Sequence, residues 1–346
     1  MPIEAPESAP VREAELAFQA DMLQQVSRTY ALTIPLLPAD LRDAVTNAYL
    51  LCRIADTIED EPALDPVRKE ILLGGFTAAV AGRTEADAFA TRLSALLSDA
   101  TSNGERFLAE NAGRIVRIAH GFPSARRQAI ERCLQQMTQG MIEFQRGRAR
   151  EGLRDMAELK RYCYHVAGVV AKMLTELFCD HSSAIAERRE ELMALAPSYG
   201  QGLQMTNILR DIWTDLDRGY CWLPRDPFLA GGFDLDELCA GDNGPAFTAG
   251  LDELVAATHR QLRQGLDFIL LIPRGEFGIR RHLLLTLGMA ALTLRRIHRS
   301  EDFRAGRDFN QPKRAAPALM AAITLLTQSD SALRRLFALL LRPVPR

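Results

Sequence analysis

The sequence predicts an all-α protein, and three observations lead there. Apolar residues recur at a spacing near 3.6 along almost the whole chain, the period of a helix with one buried face. Alternating β-branched runs bounded by turn dipeptides, which would mark strands, are almost absent. No stretch is long and polar enough to act as a flexible linker between two cores.

Taken in order, the periodic segments are 13–26, 39–60, 65–82, 87–99, 105–120, 124–146, 155–180, 184–218, 250–271, 276–298 and 315–341. Breaks fall at Thr101–Gly104 and Gly121–Ser124, and two longer loops cover Pro224–Phe247 and Phe303–Pro317. The Pro-containing start, residues 1–12, reads as a disordered tail, and 13–346 as a single all-helical domain. At 346 residues the chain leaves room for two domains on length alone. The Leu-rich C-terminal end from Leu336 leaves two readings open, a last helix docked on the core or an amphipathic end in contact with a membrane surface.

Composition narrows the function by exclusion. A net charge of −2 removes a nucleic-acid partner, which would need a basic stripe. The six cysteines are scattered, without a C-x-x-C pair or nearby histidines, and this argues against a zinc site or a disulfide framework. The acidic N-terminus is no signal peptide. The longest strongly apolar stretch, around Leu283–Leu294, falls short of the ~20 residues of a spanning helix, so the expected location is the cytoplasm, with a peripheral membrane contact left open.

Two helices carry acidic residues where burial is expected. In Ala48–Asp60, at about 100° per residue, Tyr49, Arg53, Asp56 and Asp60 share one narrow face, with Glu59 beside them. Leu50, Leu51, Ile54, Ala55 and Ile58 cover the rest of the girth. In Gly200–Asp215 the shared face holds Gln204, Asn207, Asp211 and Asp215, with Arg210 close by and Leu203, Met205, Ile208, Leu209 and Ile212 around it. Either stripe alone would be an ordinary solvated face. Two of the same construction, each in a largely apolar helix, point to function, because buried carboxylates need compensation. Carboxylate and amide oxygens without imidazole or thiolate suit a hard cation, and Mg²⁺ is commonly shared between carboxylates and substrate phosphates. The arginines would supply fixed donors to phosphate oxygens, and the apolar walls would suit a hydrocarbon chain.

With these residues in view, the sequence resembles the squalene/phytoene synthase family of head-to-head prenyl transferases. The likeness runs from about Ser27 to His298 through five ordered segments: Ser27–Tyr30 with Leu37-Pro38, Cys52–Asp60, Met137–Phe144, Tyr162–Gly168, and Leu203–Asp211 with Asp215 and Trp222–Pro224. The resemblance implies an isoprenoid-synthase-type helical bundle around a central apolar cavity. It implies that two farnesyl diphosphates are joined through presqualene diphosphate with Mg²⁺, and that NADPH then reduces the product to squalene. By motif match, Asp56, Asp60, Asn207 and Asp211 would hold Mg²⁺. Ser27, Arg28, Arg53 and Arg210 would hold diphosphate oxygens, with Tyr30, Gln204 and Asp215 at the site. The proton lost on ring closure would go to the departing diphosphate, to Asp215 or to a phenol–carboxylate relay. Tyr49, Tyr164 and His165 are further catalytic candidates, His165 fitting a hydrogen-bonded place beside the pocket better than a chemical role.

Two departures from the family pattern bear on the product. The segment Tyr162-Cys-Tyr164-His165-Val-Ala-Gly168 places Tyr164 as in carotenoid-type members, whereas the catalytic tyrosine of eukaryotic-type squalene synthases aligns with His165. After Asp215, Arg218-Gly-Tyr220 stands where the family often has Arg-Gly-Arg. Met137–Phe144 and Cys221–Pro224 look more like squalene-type members. The alternatives are a dehydrosqualene or phytoene synthase, an enzyme releasing presqualene diphosphate or a hydroxylated product, and, from another class, a non-catalytic helical lipid-binding protein. Retention of both stripes argues against the last, and no G-x-G-x-x-G fingerprint after a strand marks a nucleotide fold.

Overall fold

A computed structural model describes residues 9–145, 151–239, 241, 243–304 and 315–342. Residues 1–8 of the expected tail, most of the loop expected at Phe303–Pro317, and the final 343–346 lie outside the described residues. Among the described residues the secondary structure is helical, apart from turns and an isolated bridge between Leu153 and Pro224. The all-α prediction holds. The chain divides into two compact units, Met1–Ile142 and Glu143–Arg346.

In the first unit the organising element is the helix Ala39–Asp60. Pro38 precedes it in an extended conformation, Asp40 sits in its first turn, and Glu61 ends it in extended backbone. Leu50, Leu51, Ile54, Ala55 and Ile58 are wholly buried. At about 1.5–3 kcal/mol for each large apolar side chain removed from water, this burial fixes the rotation of the helix and so the direction of its polar stripe. On the buried side the Asn47 side-chain NH2 donates to Gln19 Oε1 (3.3 Å) and to the Ile115 carbonyl (2.9 Å). The next helix, Pro66–Val80, starts where Asp65 accepts a hydrogen bond from the Arg68 amide and Pro66 takes the first turn.

In the second unit the corresponding element is Arg189–Asp217, which contains Pro197. Two glycines set how closely its neighbours approach. A Cβ on Gly200 would lie 2.2 Å from the Ala167 carbonyl oxygen, and one on Gly202 would lie 3.0–3.1 Å from Leu262. The helix stops at Gly219, whose φ of +81° is the left-handed geometry of a terminating glycine. The Gly219 and Tyr220 amides then return to the Leu216 and Asp215 carbonyls.

Several expected helices prove to be divided. The 105–120 segment breaks at Asn111 into Asn103–Glu110 and Ala112–His120. The 315–341 segment breaks before the Ser329 cap, and 184–218 breaks at 187–188. Conversely, helix begins at Ala9 rather than 13, and at Gly244 inside the expected loop Pro224–Phe247, which also holds the short helix Arg225–Ala230. Apolar periodicity carries across breaks of one to three residues without a visible change of phase, which is why they are hard to read from pattern alone.

The last helix, Asp330–Leu340, buries Leu333 and Phe337, and the Leu341 carbonyl lies 3.0 Å from His259 Nδ1. Its Asp330 receives hydrogen bonds from Arg274 and from Arg280, whose side chain is fully buried. The described part of the C-terminal end is thus docked on its own unit. No described helix is long and apolar enough to cross a membrane.

Candidate active site

The first stripe is assembled from three segments of the first unit. Tyr30 and Tyr49 pack ring on ring at 4.8 Å, and Ser27 ties them together: its Oγ accepts from the Tyr30 amide (3.0 Å) and it is hydrogen-bonded to the Tyr49 side chain. Burial, with nearby Asp56, pushes both phenols above their ordinary range, so both stay protonated at neutral pH. Arg28 is exposed beside this group, and Asp60 is exposed one turn beyond Asp56.

Arg53 is the centre of the charge arrangement. Its Nη1 lies 3.9 Å from Asp56, and its Nη2 donates to Glu105. Arg53 Nε is buried without an acceptor among the described residues, which leave part of its donor capacity unused. Burial works against the guanidinium's charge, but Asp56 and Glu105 outweigh it and raise its pKa. Asp56 shows the reverse balance. Desolvation is the largest influence and Arg53 opposes it; repulsion from Asp60 and Glu105 then helps to hold the carboxyl up at about 7. Glu59, which the helical spacing sets beside the stripe, is buried, and its backbone carbonyl accepts from the buried Lys69 ammonium.

The sequence pattern does not single out Glu105. Its only local signal is the S-x-x-E pattern of a capping box, which explains it without any function.

The second stripe lies in the second unit. Arg210 forms a two-point fork with its neighbour Asp211, Nε to Oδ1 at 2.8 Å and Nη2 to Oδ2 at 2.5 Å. Burial disfavours the Arg210 charge, and the bond to Asp211 together with Asp215 more than restores it. Gln204, Asn207 and Asp215 are half-buried along the same face, as their spacing predicts. Asp215 also lines a small recess with Ile208, Ile212, Cys221 and Trp222. Trp222 stacks flat on Tyr162 with centroids 4.1 Å apart. Paired backbone bonds between Leu153 and the segment 223–225 hold this Trp-Leu-Pro stretch in place.

Tyr164 and His165 depart from the expected geometry. The continuous α-helix expected over 155–180 is interrupted by a π-helical turn at Tyr164–Gly168. Gly200 packs directly on this turn at the Ala167 carbonyl, and a Cβ on Gly168 would meet the Tyr164 ring at 3.0 Å. The two rings meet edge to face at 5.6 Å, with the Lys172 ammonium 6.0 Å from the Tyr164 centroid. The pair therefore sits at the start of a π turn and not within the continuous α-helix expected. Single π turns occur often at functional sites.

Among the described residues, no three carboxylate, imidazole or thiol groups converge to enclose a metal. Mg²⁺ does not require that, since it keeps water and takes substrate phosphate alongside one or two carboxylates. The donors available are of the right chemistry: carboxylates at Asp56, Asp60 and Asp211 and an amide at Asn207. An Asp56 carboxyl held near 7 is also one that a cation would drive back to its ionised form.

Residues 23–317 match the family described as squalene/phytoene synthase. The chain belongs to the squalene/phytoene synthase family. It is 28% identical to the Botryococcus squalene synthase of Botryococcus braunii over 291 residues, which cover 82% of this chain and 58% of that protein. Against the phytoene synthase of Thermus thermophilus it is 39% identical over 110 residues, 32% of this chain and 35% of that one. The chain spans about half the length of the curated relatives it matches. Among solved structures, a ligand complex of TcSQS superposes with a TM-score of 0.79 at 24% identity, covering 96% of this chain and 93% of that one, a likeness of fold. Members of the family are enzymes of the prenyl transferase type, and the segment matched includes every residue assigned to the two stripes.

Proposed function

We propose that this protein condenses two molecules of farnesyl diphosphate head to head through presqualene diphosphate, and reduces that intermediate to squalene with NADPH. The observation that carries the reading is the repeated construction of the two helices. Each sets an arginine against an aspartate, Arg53 with Asp56 and Arg210 with Asp211, on the polar face of a largely apolar helix.

Ionising an allylic diphosphate requires the leaving group's growing negative charge to be stabilised. Asp56, Asp60, Asn207 and Asp211 would hold Mg²⁺, which would supply Lewis-acid stabilisation of that charge when bound. Arg53 and Arg210 add fixed positive charge to diphosphate oxygens, and Ser27 and Arg28 complete the set of donors. Tyr30 and Tyr49, kept protonated by burial, are hydrogen-bond donors rather than bases at neutral pH. Asp215, at the end of its stripe, is the candidate to accept the proton lost as the cyclopropane closes, with Gln204 lining the same face. Tyr164 and His165, edge to face on the π turn, are assigned a positioning role and not a chemical one.

The squalene product is supported by the relatives named squalene synthase. A second reading, dehydrosqualene or phytoene formation without reduction, is favoured by Tyr164 at the carotenoid-type position and by the likeness to a phytoene synthase over 110 residues. The test is incubation of the purified protein with farnesyl diphosphate and Mg²⁺, with and without NADPH, read by mass spectrometry. Squalene only in the presence of NADPH is expected. Identical products in both arms would reject the reductive step, and no consumption of substrate would reject the transferase reading.

A further inference from the structure

Glu105 lies outside both stripes, yet its carboxylate is divided between two tasks. Oε2 accepts from the Ser102 hydroxyl at 2.6 Å and from the Ser102 amide at 3.3 Å, which closes the capping box at the start of Asn103–Glu110. Oε1 accepts from Arg53 Nη2 across 52 residues of sequence. The cap thus fixes the carboxylate, and the fixed carboxylate in turn fixes the guanidinium. Arg53 itself springs from a helix whose rotation is locked by Leu50, Leu51, Ile54 and Ile58, but its long side chain has several rotatable bonds of its own. Asp56 at 3.9 Å is too far to hold it by a hydrogen bond.

We propose that Glu105 is a positioning residue for Arg53, setting the guanidinium in the orientation in which it meets the departing diphosphate. The capping box does more than stabilise a short helix; it anchors the charge that aims Arg53. The inference rests on the assignment of Arg53 to diphosphate in the proposed function. A charge-assisted pair of this kind orients as well as attracts, and a small misplacement of a group acting in the transition state is expensive in rate.

The test separates the two tasks. Glu105→Gln keeps the glutamine-compatible capping box while removing the charge from Arg53. In steady-state assays with farnesyl diphosphate and Mg²⁺, it is expected to lower kcat by roughly ten- to a hundredfold, with KM and melting temperature little changed. In an Arg53→Gln background the same substitution should cause no further loss, since its effect passes through Arg53. Glu105→Asp, which retains the carboxylate, is expected to recover part of the rate and stands in should the glutamine variant fold poorly. A kcat within twofold of wild type for Glu105→Gln, while Arg53→Gln is impaired, overturns the inference alone. Additive losses in the double variant, or Glu105→Asp no better than Glu105→Gln, overturn it as well. If Arg53→Gln is itself unimpaired, the diphosphate assignment of Arg53 falls instead, and the inference falls with it.

Discussion

Asp56 is a carboxylic acid held at a cost to stability, and the cost has a predictable pH dependence. In the unfolded chain its pKa is the ordinary 3.8, and in the folded protein it stands at about 7. The folded state therefore binds this proton more tightly, and stability falls as pH rises from about 4 to about 7. At 1.36 kcal/mol for each pKa unit, the full difference would be about 4 kcal/mol. The side chain is 35% exposed and faces Arg53 at 3.9 Å, so solvent screening reduces this by about two- to threefold, to about 1–2 kcal/mol. Asp56→Asn cannot ionise and escapes the penalty. In metal-free buffer containing a chelator, its melting temperature should gain on the wild type by a few degrees between pH 4 and pH 8, with the gain concentrated below pH 7. Matched thermal melts across that range measure it. A gap between the two proteins that stays constant with pH, or that narrows as pH rises, refutes the burial argument. The same variant should lose prenyl transfer, since stability is exchanged here for the charge of a carboxylate ligand.

Three other outcomes follow from the geometry. Asp211→Ala should reduce farnesyl diphosphate consumption at least a hundredfold, or about 3 kcal/mol of transition-state stabilisation, in a substrate-depletion assay; near wild-type turnover would remove Asp211 from the metal set. Gly200→Ala places a methyl 2.2 Å from the Ala167 carbonyl and should cost about 1–3 kcal/mol, seen as a lower urea midpoint, because the π turn must move. His165→Phe should leave presqualene diphosphate formation within about threefold of wild type in a single-turnover assay. A loss of a hundredfold or more, the scale of general acid–base catalysis, would make the imidazole a chemical participant.

Much of the site is legible in the amino-acid sequence. The helix expected at 39–60 is the helix observed, Ala39–Asp60, since a proline before it and a run of apolar residues through it leave little freedom at either end. The shared faces of Tyr49, Arg53 and Asp56, and of Gln204, Asn207, Asp211 and Asp215, follow from helical geometry. Glu105 is not legible as a functional candidate. Its local capping signal fully accounts for it, and nothing within several residues shows that its second oxygen reaches Arg53. The π turn is equally hidden. Val166, Val169 and Val170 keep an apolar pattern that an α-helix would also satisfy, while the glycine that packs on the widened turn sits at position 200.

The all-α class, the two acidic stripes and the arginine accompanying each belong to the linear chain. They depend on backbone period and on neighbours within a turn or two, and a string of residues displays both. Only the folded chain shows that Asp56 titrates near 7, that Arg53 is held by Glu105, and that Tyr164 and His165 meet on a π turn packed against Gly200. Desolvation and ion pairing are set by groups brought close in space from distant positions, and a one-dimensional period carries no record of those distances.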